Sequence, residues 1–278
     1  MVPFFKMTGS GNDFVLLDGR ATDPSSWTAE RIAAVCDRRR GVGADGLVIL
    51  TPDPALDGSG APVVGMRYHN ADGSEAALCG NATLCSTRLA ARLGLAPAAG
   101  MSLRTGAGLL ATRCLAEGEL AEMRFPDIVL PEGVAGIRSA AGEHWIRFLV
   151  AGVPHVVVRV DDVSAVDVES RGRELRHHFW VGAEGANANF VSPPTGAAER
   201  WSIRTFERGV EGETLACGTG TVASALALRL AGEIELPVGF TSRGGSPLGV
   251  RARLESGWAR DVWLAGEGKL VFEGRLPD

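Results

Sequence analysis

Short apolar runs, separated by turns rich in glycine and proline, predict a chain of many short strands and few helices. The runs that predict strands are 4–8, 14–18, 47–50, 63–69, 156–160, 202–206 and 269–272. Helical spacing of apolar residues appears in segments 29–39, 80–93 and 222–231, the first of them after a suitable N-cap, Thr28. Segment 51–62, which holds three prolines and two glycines, is predicted to be a surface loop.

Two of the predicted helices begin directly after a cysteine. Cys79 precedes the segment that starts at Gly80, and Cys217 is followed by a glycine-threonine run, Gly218 to Thr221, that leads into the last helix. The first N–H groups of a helix have no partner within it, so they should lie beside each sulfur. Such a terminus holds anions and lowers the pKa of a thiol.

The two cysteines belong to a diverged internal repeat. At one constant offset, the residues of a first set match those of a second: Glu75, Cys79, Gly80, Thr83, Ser86 and Gly94 against Glu213, Cys217, Gly218, Thr221, Ser224 and Gly232. Upstream, Arg67 matches Arg204 after a one-residue insertion. The period is too long for a solenoid and predicts two similar domains related by a pseudo-two-fold axis.

Two thiols on opposite sides of one pocket suit the removal of a proton from one face of a carbon and its return to the other face. This chemistry is racemisation or epimerisation, with a thiolate as base and a thiol as acid. A different class, a redox dithiol protein cycling Cys79 and Cys217 through a disulfide, lacks support from a Cys-x-x-Cys motif. A plain binding module would show neither proton exchange nor thiol exchange.

Composition narrows the class of protein. The 278 residues are 45% hydrophobic and 22% charged. The net charge of −5 gives no positive surface that would favour nucleic acid. No apolar run in the sequence is long enough to span a membrane. The N-terminus lacks the layout of a signal peptide, so we expect a cytoplasmic protein. Five cysteines without paired spacing argue against a metal site or a disulfide framework, and Lys6 and Lys269 do not suit a pyridoxal phosphate linkage. We therefore expect no cofactor and no metal.

At these residues the chain resembles the diaminopimelate epimerase family of two-cysteine, cofactor-independent isomerases. Besides the two cysteine motifs, five further motifs of the family occur in order: Gly-Ser-Gly-Asn-Asp-Phe at 9–14, Arg-Gly-Val-Gly-Ala-Asp-Gly at 40–46, Asn-Ala-Asp-Gly-Ser-Glu at 70–75, Gly-Val-Pro-His at 152–155 and Asn-Ala-Asn-Phe at 187–190. The resemblance implies an α+β (α/β-type) fold of two pseudo-symmetric domains. Each is a curled, mostly antiparallel sheet around a central helix, with the active site in the cleft between them. The expected domains are 1–118, to which 264–278 returns, and 119–263.

The resemblance also implies roles for individual residues. Cys79 and Cys217 would be the catalytic pair. The only partners would be an amino acid as small-molecule substrate and a second copy of the chain in a homodimer, with no nucleic acid or membrane. The substrate-binding residues would be Asn12, Asn70, Gly80, Asn81, Asn187, Glu207, Arg208, Gly218 and Thr219. His155 and Gly46 would support them. Glu207 would accept from the substrate ammonium, and Arg208 would pair with the distal carboxylate.

One position departs from the family pattern in a way that bears on the substrate. Val153 stands where the family usually has an asparagine that helps to hold the far end of diaminopimelate. The leading prediction is the interconversion of LL- and meso-2,6-diaminopimelate in the lysine and peptidoglycan pathways. The alternative is a racemase of another amino acid on the same scaffold. The family also usually has glycine where Ala82 stands and arginine where Leu84 stands.

Overall fold

The computed structural model describes residues 1–116, 118–131, 133, 136–196 and 199–277. The chain forms two compact units, one of residues 1–124 with 265–278 and one of residues 125–264. The sequence places the domain boundary after residue 118, and that assignment stays a prediction. Among the described residues, no helix has both the length and the apolar character needed to cross a membrane.

The first unit is built on strands whose apolar residues face a buried helix. Its strands are β1 (Val2–Gly9), β2 (Asn12–Asp18), β3 (Gly46–Leu56), β4 (Pro62–Asn70), β5 (Glu75–Ala76), β6 (Met101–Thr105), β7 (Gly108–Cys114), β8 (Leu120–Arg124) and β18 (Lys269–Leu276). β2 and β3 are parallel, as are β4 and β6, while the pairs β18–β1, β1–β2, β3–β4, β6–β7 and β7–β8 are antiparallel.

Two helices pack on opposite faces of this sheet. Helix α2 (Gly80–Arg92) contacts β1 to β4 and β6 to β8, so it is the central helix around which the strands curl. Helix α1 (Ala29–Cys36) packs its Ile32 and Cys36 on the other face, against Leu47 and Ile49 of β3. Burial of these apolar side chains on both faces is what stabilises the layered unit.

The second unit repeats this arrangement. Its strands are β9 (Ile128–Val129), β10 (Glu143–Ala151), β11 (Val153–Val160), β12 (Asn187–Ser192), β13 (Trp201–Glu207), β14 (Gly212–Thr214), β15 (Val238–Thr241), β16 (Pro247–Glu255) and β17 (Trp258–Glu267). β11 and β12 are parallel, as are β13 and β15, while β10–β11, β12–β13, β13–β14 and β15–β16 are antiparallel. Helix α3 (Val168–Arg176) corresponds to α1, and helix α4 (Gly218–Leu230) corresponds to α2.

The order of elements confirms the repeat that the cysteine motifs predict. In both units two antiparallel strands lead through a short helix to a parallel strand, and a cysteine-led helix then precedes another parallel pairing. Ion pairs at matching positions support the repeat as well: Arg67 lies 3.7 Å from Glu75 in the first unit, and Arg204 lies 2.6 Å from Glu213 in the second. The predicted α+β class with two similar, mostly antiparallel halves is therefore confirmed.

Two predicted elements are wrong at their ends. β3 continues to Leu56, so the loop predicted at 51–62 is reduced to a turn at 57–61; the strand keeps pairing with β4 across an irregularity after Asp53. Helix α1 ends at Cys36 instead of residue 39, because Asp37 has an extended backbone and its carboxylate accepts from the N–H groups of Arg39 and Arg40. The Thr28 cap is confirmed, with its side chain accepting from the Arg31 N–H.

Candidate active site

Cys79 is the N-cap residue of α2. Its backbone is extended, with φ −139° and ψ 118°, and the helix begins at the next residue. The Cys79 carbonyl accepts from both the N–H and the hydroxyl of Thr83, each at 2.9 Å, which anchors the first turn. The thiol therefore lies at the positive end of a 13-residue helix, as the sequence predicts.

Cys217 takes the same position at the start of α4. Its φ of −131° and ψ of 111° match those of Cys79, and its carbonyl accepts from the Thr221 hydroxyl at 2.8 Å. The sulfur lies 3.4 Å from the Thr219 hydroxyl oxygen. Cys217 is more buried than Cys79, with 7% of its surface exposed. Cys36 and Cys85 are buried core residues, in agreement with the sequence.

The expected lowering of the thiol pKa is wrong for Cys217. Burial, followed by the Glu207 carboxylate, raises the pKa of Cys217 to about 11, although the Thr219 hydroxyl and the N–H groups of Gly220 and Thr219 act to lower it. Desolvation of the thiolate outweighs the helix terminus because the sulfur is almost entirely removed from water. Cys217 is consequently a protonated thiol at neutral pH, the form suited to a proton donor.

A chain of hydrogen bonds fixes two of the predicted substrate ligands in the first unit. Asn81 is the second residue of α2, and its side-chain nitrogen donates to the side-chain oxygen of Asn12 at 2.7 Å. The Asn12 amide nitrogen in turn donates to the Asp45 carboxylate at 2.9 Å. Because a carboxylate accepts only, Asp45 sets the orientation of both amides.

The Asp45 carboxylate is itself held by charge. Arg38 donates to Asp45 and to Asp13 at 2.6 Å each, and Lys6 forms a hydrogen bond to Asp13 at 2.5 Å and a further one to the Gly43 carbonyl. Although burial raises the pKa of Asp13, hydrogen bonds from Arg38 and Lys6 hold it at about 2. Because Arg38 donates to both carboxylates, the loop that carries Asp45 is held beside the turn that carries Asn12 and Asp13.

Asn70 and Gly46 lie at one end of the β3–β4 pair. They are directly opposite each other in the register, and the Asn70 amide nitrogen donates to the Ser74 hydroxyl at 3.0 Å. A β-carbon at Gly46 would stand 2.7 Å from the Tyr68 ring and 3.1 Å from its hydroxyl. The supporting role predicted for Gly46 is thus compatible with the close packing of Tyr68, a residue that the sequence reasoning did not single out.

The second unit places a buried polar network beside Cys217. The Asn189 amide nitrogen lies 3.2 Å from His155 Nδ1 and donates to the Val156 carbonyl at 3.1 Å, while its oxygen accepts from the Thr205 hydroxyl at 2.9 Å. Burial and the charge of Arg208 lower the pKa of His155 to about 3, so the imidazole is neutral. Since Asn189 donates to Nδ1, the ring hydrogen is assigned to Nε2.

Asn187, Glu207 and Arg208 come together where β12 begins and β13 ends. The side-chain oxygen of Asn187 accepts from the backbone N–H of Arg208 at 2.7 Å, which ties the two strands. Burial raises the pKa of Glu207. The Glu207 carboxylate also acts on Cys217 through its charge, which places the carboxylate near the sulfur.

The Gly152–Val153 turn also lies beside the start of α4. Gly152 has a positive φ of 78°, and a β-carbon there would stand 3.8 Å from the Thr219 methyl group. Val153 begins β11 and is half-buried. The position that departs from the family pattern therefore belongs to the same half-site as Cys217.

Comparison with known proteins gives the family. The model of the diaminopimelate epimerase family matches residues 4–126 and 148–248. The chain belongs to the diaminopimelate epimerase family. A diaminopimelate epimerase of Gemmatimonas aurantiaca is 46% identical over 98% of this chain and 98% of that protein, and one of Aquifex aeolicus is 36% identical over 99% and 98%. The fold is also that of a Bacillus anthracis phenazine biosynthesis protein of the PhzF family, with a TM-score of 0.70 at 15% identity over 100% of this chain and 99% of that one.

Within this family assignment, the structure groups the predicted residues into two half-sites. The first holds Cys79, Gly80, Asn81, Asn12, Asn70 and Gly46, and the second holds Cys217, Gly218, Thr219, His155, Asn187, Glu207 and Arg208. The sequence alone assigns no site role to Asp45, Asn189 or Tyr68. The sequence signal for such a residue is a polar side chain within a strand whose other residues are mostly apolar, as Asn189 is in β12. In the described part of the chain, no three His, Cys, Asp or Glu side chains are arranged to hold a metal ion.

Proposed function

We propose that this protein interconverts LL- and meso-2,6-diaminopimelate by proton transfer at the α-carbon, without a cofactor. The observation that carries the proposal is the duplicated thiol, since Cys79 and Cys217 each cap a 13-residue helix in matching units. Family membership supports the same substrate.

In the proposed reaction, one cysteine thiolate takes the α-proton from one face of the substrate and the other cysteine thiol gives a proton to the opposite face. The C–H bond that breaks is replaced by a new C–H bond of opposite configuration, and no atom is oxidised or reduced. After one turnover the cysteine that began as the thiolate is a thiol and the other is a thiolate, which is the arrangement that the reverse reaction requires. The reaction requires both sulfurs to reach the same α-carbon.

Removal of the α-proton places negative charge on the substrate, and this charge needs stabilisation because the α-proton of an amino acid is only weakly acidic. The free N–H groups at the starts of α2 and α4 are suited to hold the substrate carboxylate beside the reacting carbon. Gly80 and Asn81 supply them in one unit, and Gly218 and Thr219 in the other. Glu207 would accept from the substrate ammonium, and Arg208 would pair with the distal carboxylate.

The ammonium group would also change the acid-base state of Cys217. The Glu207 carboxylate raises the pKa of Cys217, so a cation bound to Glu207 would cancel part of that effect. Substrate binding would thereby help Cys217 to ionise. We further propose that the enzyme works in the cytoplasm as a homodimer, as the family resemblance implies.

Proton NMR in D2O tests the proposal. The purified protein is incubated under reducing conditions with LL-diaminopimelate and, in parallel, with lysine, histidine or glutamate. Deuterium entering the α-position of diaminopimelate alone is the expected result. Exchange into another amino acid instead would move the assignment to a racemase of that amino acid, and no exchange into any of them would overturn the two-thiol reaction.

A further inference from the structure

Tyr68 is the single tyrosine of the chain, and it is buried with 8% of its surface exposed. Its ring packs edge-on against Phe14, with ring centres 6.0 Å apart, and lies against the bare backbone of Gly46. Cys79 packs against the same core cluster. These contacts hold the ring within the core cluster against which Cys79, the residue before α2, also packs.

The Tyr68 hydroxyl lies within hydrogen-bonding reach of the Cys79 side chain, which packs against the same cluster. A phenol with an ordinary pKa of about 10 is a better donor than a thiol, so the hydroxyl donates and the sulfur accepts. An ionised sulfur is the stronger acceptor, because hydrogen bonds to charged groups are roughly twice as strong as neutral ones. The contact therefore favours the thiolate of Cys79.

Among the described residues of the second unit, no tyrosine hydroxyl takes the corresponding place beside Cys217. The repeat that aligns Arg67 with Arg204 puts Thr205 where Tyr68 stands, and the Thr205 hydroxyl donates to Asn189 at 2.9 Å instead of to a sulfur. The side-chain oxygen near Cys217 belongs to Thr219, at 3.4 Å, while the Glu207 carboxylate opposes ionisation. The two cysteines thus sit in chemically different surroundings despite their matching backbones.

We propose that Tyr68 is a positioning residue of the reaction, whose hydroxyl donates to the Cys79 sulfur, orients it and stabilises it as the resting thiolate base. Gly46 leaves room for this ring, since a β-carbon there would stand 2.5 Å from the His69 carbonyl oxygen and 2.7 Å from the Tyr68 ring. This inference rests on the proposed function for its catalytic meaning, but the contact itself is measurable without substrate. The resting pair would be a Cys79 thiolate and a Cys217 thiol.

Other titratable groups act on this pair and have to be separated from Tyr68. Asp45 and Cys36 act on the Tyr68 hydroxyl through their charges, and Cys85 lies near enough to Cys79 to sense its ionisation. Burial, followed by the charge of Cys79, raises the pKa of Cys85, so Cys85 stays a thiol where Cys79 ionises. Phenylalanine at position 68 keeps the ring and removes the hydroxyl alone, which leaves these groups in place.

The first experiment measures the ionisation of Cys79 by its rate of alkylation against pH, in the Cys217→Ser background and with peptide mapping. Tyr68→Phe is expected to move the midpoint for Cys79 upward by about one pH unit, since a hydrogen bond to a charged group is lost. In turnover the same variant should lower kcat about tenfold with little change in KM. An unchanged midpoint, or one that moves downward, would overturn the proposal.

The second experiment uses the unmutated tyrosine and holds even if Tyr68→Phe does not fold. Tyrosine labelled with ¹³C at Cζ gives one NMR signal from this chain, because Tyr68 is its one tyrosine. That signal is expected to shift over the pH range in which Cys79 is alkylated, to do so equally in Cys217→Ser, and to lose the shift in Cys79→Ser. A signal that Cys79→Ser leaves unchanged would contradict the contact. If wild-type protein fails to turn over diaminopimelate, the proposed function fails, and these two substrate-free measurements still decide the contact.

Discussion

The Asn189 side-chain oxygen lies 2.1 Å from the position that a β-carbon would take at Gly220. Gly220 is the third residue of α4, and Asn189 is fully buried and held by His155, Val156 and Thr205. The absence of a side chain at Gly220 therefore lets the polar network approach the helix that carries Cys217.

Gly220→Ala should consequently damage the second half-site. Asn189 has no free space to retreat, so we expect a loss of about 1–3 kcal/mol in the free energy of unfolding, the usual cost of overpacking a core. A fall in kcat larger than tenfold should accompany it, since the start of α4 must shift. Urea unfolding and epimerase kinetics measure the two effects.

The matched control is Ala82→Gly in the first unit. Ala82 takes the place of Gly220 in the repeat and is itself fully buried, so that unit already accepts a β-carbon there. Ala82→Gly should cost about 1 kcal/mol from helix propensity and leave turnover within a few-fold. Equal losses of activity in the two variants would contradict the view that the close approach of Asn189 is what makes a side chain at position 220 damaging.

The sequence predicted the backbone of both half-sites well and their electrostatics poorly. Helix starts at Cys79 and Cys217 follow from a local pattern, a cysteine before a glycine and a helical run. The pKa of Cys217 depends on burial and on Glu207, which come from strands that a local pattern does not place. The hydrogen bonds of Asn189 likewise join three separate strands, β11, β12 and β13, so tertiary packing was needed to reveal them.

Glu207→Gln should make Cys217 easier to ionise. The Glu207 carboxylate raises the pKa of Cys217, so removing its charge should lower that pKa from about 11, and alkylation should become faster at any pH below the midpoint. We expect a shift of about one pH unit. The measurement is the alkylation rate of Cys217 against pH in the Cys79→Ser background. Glu207→Asp keeps the charge and should keep most of the shift, whereas a rise in the midpoint in Glu207→Gln would contradict this account.

Asp45→Asn should weaken substrate binding without removing a group that reacts. The Asp45 carboxylate orients Asn12, which in turn orients Asn81, so an amide at position 45 allows both side chains to turn over. We expect KM to rise about tenfold with a smaller change in kcat, since one charged hydrogen bond is lost. Asp53→Asn is the matched control, because Asp53 pairs with Arg104 at 2.7 Å in the same unit and has no contact with this chain of amides. A KM that rises equally in both variants would argue for a general effect on the fold.

Cys79→Ser and Cys217→Ser should each abolish turnover while leaving the protein folded. A serine hydroxyl is too weak an acid to ionise in place of the cysteine thiol, so the catalytic base is lost. The fold should persist because the N-cap position accepts serine readily. Far-ultraviolet circular dichroism and deuterium exchange into diaminopimelate are the measurements. Cys114→Ser is the control, because Cys114 lies in β7 and contacts the Thr87 carbonyl at 3.8 Å. Near-normal epimerisation in either of the first two variants would contradict the two-thiol reaction.

Val153→Asn should show whether position 153 sets the affinity for diaminopimelate. The Gly152–Val153 turn lies beside Thr219 at the start of α4, so an amide at position 153 would add a polar group within the second half-site. If the substrate is diaminopimelate, KM should fall several-fold, because one further hydrogen bond is worth about 1 kcal/mol, and kcat should hold. Val153→Ala separates the effect of the amide from that of lost bulk and should not lower KM. A Val153→Asn enzyme that loses diaminopimelate turnover would mean that valine is itself part of the fit, and would turn attention to how Val153 packs against the bound substrate.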